Sequence, residues 1–346
     1  MKNIKILHIT DLHFRHHGRL FYSTGKKINN GLILSGYNVL NISDRDATNQ
    51  KKNIFDIGSK KHLLKLIIQN IENFKPHLII FGHVDRVDYE NIVLLKEKYP
   101  KIKLAQWFLD PLIKNGPDYE KNKKRFFLKY QFCDANFVTT AVDVIDFAEK
   151  NKTFFIPNPI DPSIDAYQNF LEKKPIDVFI AISHGQHRGI LKNDFLDDRV
   201  KLINKLTKKA TYNIFGVKKN PVWGQKFFDE LNKCSMAINL SRGKPIKHYS
   251  SDRLSSLLGN GMLTFVHENY KFGDFFNNKE IIFYKNISDL NNKILYYKKN
   301  PKKLKEIARN GHKKSHKIFN NKLIAEYIVK KSLNIKNFSK PYWLNV

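Results

Sequence analysis

The chain has 346 residues, with 61 Lys and Arg against 32 Asp and Glu for a formal net charge of +29, and 42% hydrophobic and 13% aromatic residues. That length exceeds what one ordinary core organises and predicts two domains of comparable size, while the composition excludes a fibrous or disordered chain. No apolar run approaches the roughly 20 residues that cross a bilayer, and MKNIKILHIT turns polar too quickly for a signal peptide, which points to the cytoplasm.

In chain order, the first half alternates strand-like apolar runs with amphipathic helical stretches. KILHI is followed by a helix near Tyr22 to Ser35, then YNVLNIS, a helix over Lys60 to Asn73, and HLIIFG. Next come a helix near Tyr89 to Lys98, the strand KLAQWFL, a helix near Tyr119 to Phe132, ANFVTT, a helix over Val142 to Lys150, and TFFIPN. Such alternation predicts a parallel sheet with helices on both faces and ligands beyond the carboxyl ends of the strands.

The segment IPNPIDPSIDAY contains Pro157, Pro159 and Pro162, which block a continuous helix or central strand and read as an interdomain linker. A second alternation follows: IDVFIAIS, a helix over Asp197 to Lys208, TYNIFG, a helix near Lys226 to Cys234, SMAINLS, and a helix over Ser251 to Gly259. MLTFVH, EIIFYK and helices over Ser288 to Tyr297 and Pro301 to Phe319 complete it. The expected architecture is therefore α/β with two Rossmann-like domains, residues 1–160 and 161–318, and a helix and tail over 319–346 returning to the first.

The charge excess is mostly lysine and runs from end to end, as a solvated surface or an AT-rich coding bias would leave it. It also suits attraction to an anionic membrane face, which would make the protein peripheral at the inner side of the cell membrane. Cys133 and Cys234, the only cysteines, exclude a disulfide framework and a cysteine zinc cluster, and read as small core residues.

ILHITDLHF sets Asp11 and His13 two apart after the first strand, the way binuclear metallophosphoesterases begin. The later ligands of such a site are missing: HLIIFG leads to His83 instead of Asp, Gly-Asn-His is absent, and GHKKSH is wrongly spaced. No metal is expected.

Three segments, GRLFYSTGKKINNGLILSGYNVLNISDRD, AQWFLDP and HYSSDRLSSLLGNGMLTF, with the helices after NPKKLKEIARNGHKKS, resemble GT-B glycosyltransferases of the CgeB-like group over nearly the whole chain. The resemblance implies two domains facing a cleft, a sugar nucleotide held by the second and an acceptor by the first. It implies a nucleotide-sugar donor and a glycan or glycolipid acceptor, with no separate cofactor and no nucleic-acid partner.

Within that resemblance the helix starting at HYSSDR would aim its unpaired amides at the donor diphosphate, with Ser250, Ser251 and Asp252 as capping residues and Arg253 adding charge. Tyr249 belongs to the same donor segment. Gly259 and Gly261 would let the chain turn where a β-carbon could obstruct the ligand. Ser256 stands where the retaining branch carries a ribose-binding glutamate, five residues before Gly261, so the stereochemical course stays open and Asp252 could substitute from one turn earlier. Arg242, Arg188 and Arg199 follow strands of this domain, and a guanidinium fork suits a diphosphate.

On the first domain, Asp11, His13, His83 and Asp110 follow strand ends. His13 is the first candidate for the base that deprotonates an acceptor hydroxyl, Asp110 is the alternative, and Asp11 would orient His13; His16 or His17 could serve instead. The loop from Phe14 to Gly25 resembles a flexible glycine-containing loop closing over the sugar, with Phe21 and Tyr22 either stacking on it or sealing the core. The resulting expectation is a metal-independent sugar transferase, with a metal-dependent phosphoesterase and a basic nucleic-acid-binding protein as alternatives.

Overall fold

A computed structural model describes residues 3–50, 60–182, 198–217, 219–336 and 338–344. The chain divides into two units, one comprising Met1–Pro159 with Asn321–Leu344 and the other comprising Ile160–Asn320 with the last two residues.

Unit 1 contains β1 (Lys5–Thr10), α1 (Thr24–Leu34), β2 (Asn38–Ile42), α2 (Asp44–Gln50), α3 (Lys60–Phe74) and β3 (Leu78–Gly82). It continues with α4 (Tyr89–Lys98), β4 (Lys103–Phe108), α5 (Tyr119–Tyr130), β5 (Ala135–Val138) and β6 (Thr153–Phe155). The strands form one parallel sheet in the order β2-β1-β3-β4-β5-β6. Helices cover both faces of such a sheet, so its inner strands read as unbroken apolar runs; every residue of β3 is buried. One core cluster packs Leu7, Ile9, Phe81 and Leu104 against Leu63, Ile67 and Ile92.

Strand order reverses between β1 and β3, and a doubly wound sheet opens its binding crevice at that point. There Thr10 pairs with Gly82, and the Thr10 hydroxyl donates to the Gly82 carbonyl at 2.9 Å. A β-carbon at Gly82 would collide with the Trp107 ring, so glycine is what lets the neighbouring strand ends meet.

Unit 2 contains β7 (Ile176–Ala181), α6 (Asp198–Asn204), β8 (Tyr212–Phe215), α7 (Gln225–Asn232), β9 (Cys234–Ile238), α8 (Arg253–Gly259) and β10 (Leu263–His267). After these come β11 (Ile282–Tyr284), α9 (Ile287–Lys299) and α10 (Pro301–Ile318). Its parallel sheet runs β11-β10-β9-β7-β8, with the reversal between β7 and β9. Val178, Ile180, Met236 and Phe265 of the strands pack with Leu290, Ile294 and Ile307 of α9 and α10.

The last helix, α11 (Asn321–Ser332), packs on α1 within unit 1. The two helices cross so closely that a β-carbon at Gly31 would run into the Asn321 carbonyl.

One local expectation needs correction. Val142 to Lys150 forms a single 3-10 turn, Val142–Val144, after which Ile145 turns extended (φ −98, ψ 107); Val142, Val144 and Ile145 are β-branched and weak helix formers, and Ile145 is drawn into an aromatic cluster with Phe108 and Phe126. Helix α2 had been overlooked although Asp44 and Asp46 acidify its first turn. The boundary between the units falls inside the proline segment, after Pro159; on its unit 2 side Ile160, Asp161 and Asp165 are fully buried, and Asp161 accepts from the Ser163 amide and hydroxyl at 2.9 and 2.7 Å.

Candidate active-site residues in the two units

In unit 1 the chain leaves β1 through Asp11 and turns sharply, with His13 and His17 both left-handed (φ 62 and 50) around a 3-10 turn at Phe14–His16. Such a turn needs its amides satisfied locally. Asp11 accepts the His13 amide at 2.9 Å, and Asp46 accepts those of Phe14 and Arg15 at 2.9 and 3.0 Å. Arg15 donates to both Asp11 oxygens at 2.6 and 2.7 Å and to Asp46 at 3.1 Å, and the Ser43 hydroxyl donates to Asp46.

His13 therefore has a fixed position. Its Nδ1 is 3.2 Å from Asp11 Oδ2, an ion-pair distance without the alignment of a hydrogen bond. Burial pushes the imidazole below its ordinary pKa, Asp11 opposes this, and Arg15, His16 and Arg45 reinforce it. Asp11 remains a carboxylate because the Arg15 fork and His13 outweigh the upward push of burial. His16 is also lowered, by burial and by Arg15 and Arg19.

Asp11 faces His13, but its principal partner is Arg15. Asp110 is a poorer base than expected: burial pushes its pKa up, but His83, at 3.4 Å, and Arg125, at 3.1 Å, more than compensate and hold it ionised. His83 also lies 3.1 Å from Arg125 Nη2, so its ring belongs to this charge network. Arg45 forks Asp85 at 3.1 and 2.7 Å, completing a band of alternating charges along the strand ends.

Asp44 stands apart in that band. It is fully buried, both carboxylate oxygens are without a hydrogen-bond partner, and burial together with Asp11 and Asp85 pushes its pKa up to about 6. Lys129, also buried, donates to the Val84 carbonyl at 2.9 Å and is pushed down to about 8 by burial. Both were missed from sequence, as were Arg15, Asp46 and Arg125; ISDRD after β2 and HVDRVD after β3 are the strand-end runs that mark the region.

The Phe14 to Gly25 segment has a defined local geometry in this structure. It is a chain of turns, and Gly25 sits inside α1, where a β-carbon would press on Thr10 Oγ1 at 2.7 Å. Phe21 and Tyr22 meet edge to face at 5.4 Å, with Phe21 38% exposed.

In unit 2 the strand β9 delivers Asn239, Leu240, Ser241 and Arg242 beyond its carboxyl end. Asn239 is fully buried with neither amide atom hydrogen-bonded, and the Ser241 and Ser251 hydroxyl oxygens are likewise buried without an aligned partner. Arg253 donates to the Leu240 carbonyl at 2.7 Å. Desolvation and the neighbouring Arg199, itself 6% exposed, push Arg253 down to about 10, still cationic at neutral pH. Burial raises the Tyr270 phenol, against the pull of Ser241, Arg253 and Arg199.

Arg253 and Arg199, both covered, lie within electrostatic reach of one another near buried polar atoms without aligned partners, an arrangement that suits an anion rich in acceptor oxygens. Among the described residues, no group of three or more His, Cys, Asp or Glu is placed to hold a metal ion.

Residues 199–330, which include Arg199, Arg242, Arg253 and Tyr270, match the Glycosyl transferase-like family model. Anabaena Alr3699/HepE, solved with UDP, is similar in structure over 96% of this chain and 100% of its own (TM-score 0.59, 12% identity). The chain has the GT-B fold. Sucrose-phosphate synthase from Thermosynechococcus elongatus (TM-score 0.57, 9% identity) covers 96% of this chain and 99% of its own. The β-glucosyltransferase of phage T4 (TM-score 0.51, 15% identity) covers 96% and 100%. No curated protein matches the chain in sequence.

The segment around α8 differs from expectation in its local geometry. Helix α8 begins at Arg253 after an Asp252 already in helical conformation (φ −52, ψ −21), and no side chain caps it. Gly259 and Gly261 serve packing: a β-carbon on the first would strike Asp165, and on the second, with φ +72, the Phe170 ring. Ser256 is 3% exposed within the helix, and its carbonyl accepts from the Asn260 amide and side chain at 3.2 and 2.7 Å. Tyr249 lies in the turn before α8, its amide donating to Ile246 at 3.1 Å, and Arg242 is partly exposed. Arg188 lies outside the described residues. Asn239, Ser241 and Tyr270 were missed, since only the reversal between β7 and β9 singles out that strand end.

Proposed function

We propose that the protein transfers a sugar from a nucleoside-diphosphate donor to a hydroxyl of a glycan or glycolipid, with arginines instead of a metal ion meeting the diphosphate charge. The observation that carries this reading is the pairing of Arg199 and Arg253 beside the unpartnered amide of Asn239. Two neighbouring cations stabilise an anionic leaving group most in the state in which the diphosphate carries most charge.

The acceptor hydroxyl gives its proton to Nε2 of His13, whose Nδ1 faces Asp11. The acceptor oxygen bonds to the anomeric carbon as the bond from that carbon to the β-phosphate oxygen breaks, and the nucleoside diphosphate leaves with the electron pair. Asp11 stabilises the imidazolium that forms, and Arg15 and Asp46 hold both groups in place.

The reading places the enzyme in the cytoplasm, with its lysine-rich surface suited to an anionic membrane face. A phosphoesterase is disfavoured because both Asp11 oxygens are engaged by Arg15. Titrating a panel of sugar nucleotides, and assaying nucleotide release with and without EDTA, tests the proposal. Binding and EDTA-resistant release support it; absence of both overturns it.

A further inference from the structure

Unit 1 contains a cavity of about 400 Å³ whose lining includes His13, Phe14, Phe21, Lys26, Asn29 and Asn41. That volume lies at the small end of ligand pockets, roughly 300–1,000 Å³, and suits one or two sugar rings. Asn29 is 4% exposed, and its Oδ1 and that of Asn41 are buried without an aligned hydrogen-bond partner. The buried His8 imidazole interacts with Asn29 but is not aligned with that oxygen. Bare amide oxygens call for hydroxyl or N–H donors, which an alkyl chain lacks. Phe14 and Phe21, 68% and 38% exposed, offer apolar faces for the C–H side of a ring.

The cavity's charge is more specific. Lys26 lies in the first turn of α1, which holds no acidic residue, so an ammonium sits at the positive end of the helix. Among the described residues that ammonium has no hydrogen-bond or ion-pair partner; only its backbone amide is engaged, by Ser23 at 3.4 Å. No carboxylate lines the cavity, and the acids on adjoining loops, Asp11 and Asp46, are taken by Arg15. Lys26 is exposed at the cavity, where among the described residues it has no carboxylate partner, and so matches a sugar bearing an anionic substituent.

We propose that this cavity is the acceptor subsite and selects an acidic sugar, with Lys26 on its carboxylate or phosphate ester and Asn29 and Asn41 accepting from its hydroxyls. This rests on His13, which lines the same cavity, being the base of the transfer reaction. The test is calorimetric titration of the full chain with three disaccharides alike except for a terminal hexuronate, hexose 6-phosphate or neutral hexose, with UDP titrated in parallel.

At least one acidic disaccharide is expected to bind tenfold or more tightly than the neutral one, and comparison of the two acids distinguishes carboxylate from phosphate. Lys26→Met should remove most of that preference and leave UDP affinity unchanged, and Asn41→Asp should abolish acid binding. Equal binding of all three, binding of none, or a preference that survives Lys26→Met overturns the inference. Failure of every nucleoside diphosphate tried alongside UDP to bind would instead remove the transferase reading on which it rests.

Discussion

Arg15 donates to both oxygens of Asp11, at 2.6 and 2.7 Å, so the carboxylate beside His13 is already neutralised by a cation. Burial, reinforced by Arg15, His16 and Arg45 against the pull of Asp11, keeps His13 neutral further into the acid range than an ordinary histidine, near 6.5. Transfer should rise with pH through a midpoint below that value, because the deprotonated base accumulates as pH rises past its lowered pKa. In Arg15→Met, Asp11 would act on His13 unopposed and the midpoint should move up. His13→Ala should lower kcat by about 10²–10⁴-fold with donor affinity kept, measured by steady-state kinetics beside UDP titration.

Asp46 ties the His13 turn to α2 by accepting the Phe14 and Arg15 amides, the Arg15 guanidinium and the Ser43 hydroxyl. Asp46→Ala should cost about 1–3 kcal/mol in urea denaturation and reduce kcat more than KM, because the turn loses its acceptors. These bonds and Arg15 outweigh burial and hold the Asp46 pKa below the usual carboxylate value. The stabilisation is thus present above that value and lost as pH falls through the depressed one, so wild type and variant should converge in acid.

Arg253 and Arg199 crowd like charges at the end of β9. Arg253→Met should weaken UDP binding by about 10–100-fold, as expected for a charge-assisted hydrogen bond. Thermal unfolding without nucleotide should change far less than the stabilisation that UDP confers, since the substitution also relieves the repulsion. A variant whose nucleotide-free unfolding temperature collapses while UDP binding survives would show Arg253 to be structural.

Asp44 is a buried carboxylate whose pKa rises to about 6, above its value near 3.9 in an unfolded chain. The folded state binds the proton more tightly, so stability is greatest below the unfolded value and declines until pH passes the folded one. Asp44→Asn removes the charge with little change in shape. It should stabilise the protein by about 2 kcal/mol at pH 8 and make almost no difference near pH 4, by chemical denaturation at both.

Apolar periodicity and strand ends, which are local properties, were sufficient to read the alternation of strands and helices, the α/β class, and polar residues such as Asp11, His13, Arg199 and Arg253. Hydrophobic spacing sets which faces of each element are buried, and so it is legible in one dimension. Capping at HYSSDR was misread because Asp252 continues the helix instead of ending it, a matter of backbone angles that residue type only biases.

What only the tertiary structure decided is which charges meet. Asp46 reaches Arg15 across 31 residues, and Asn239, Ser241 and Tyr270 join Arg199 and Arg253 only through the sheet order of unit 2. Pairing and burial set which groups stay charged and which remain without partners, because Coulomb energy and desolvation depend on distances through space and not along the chain.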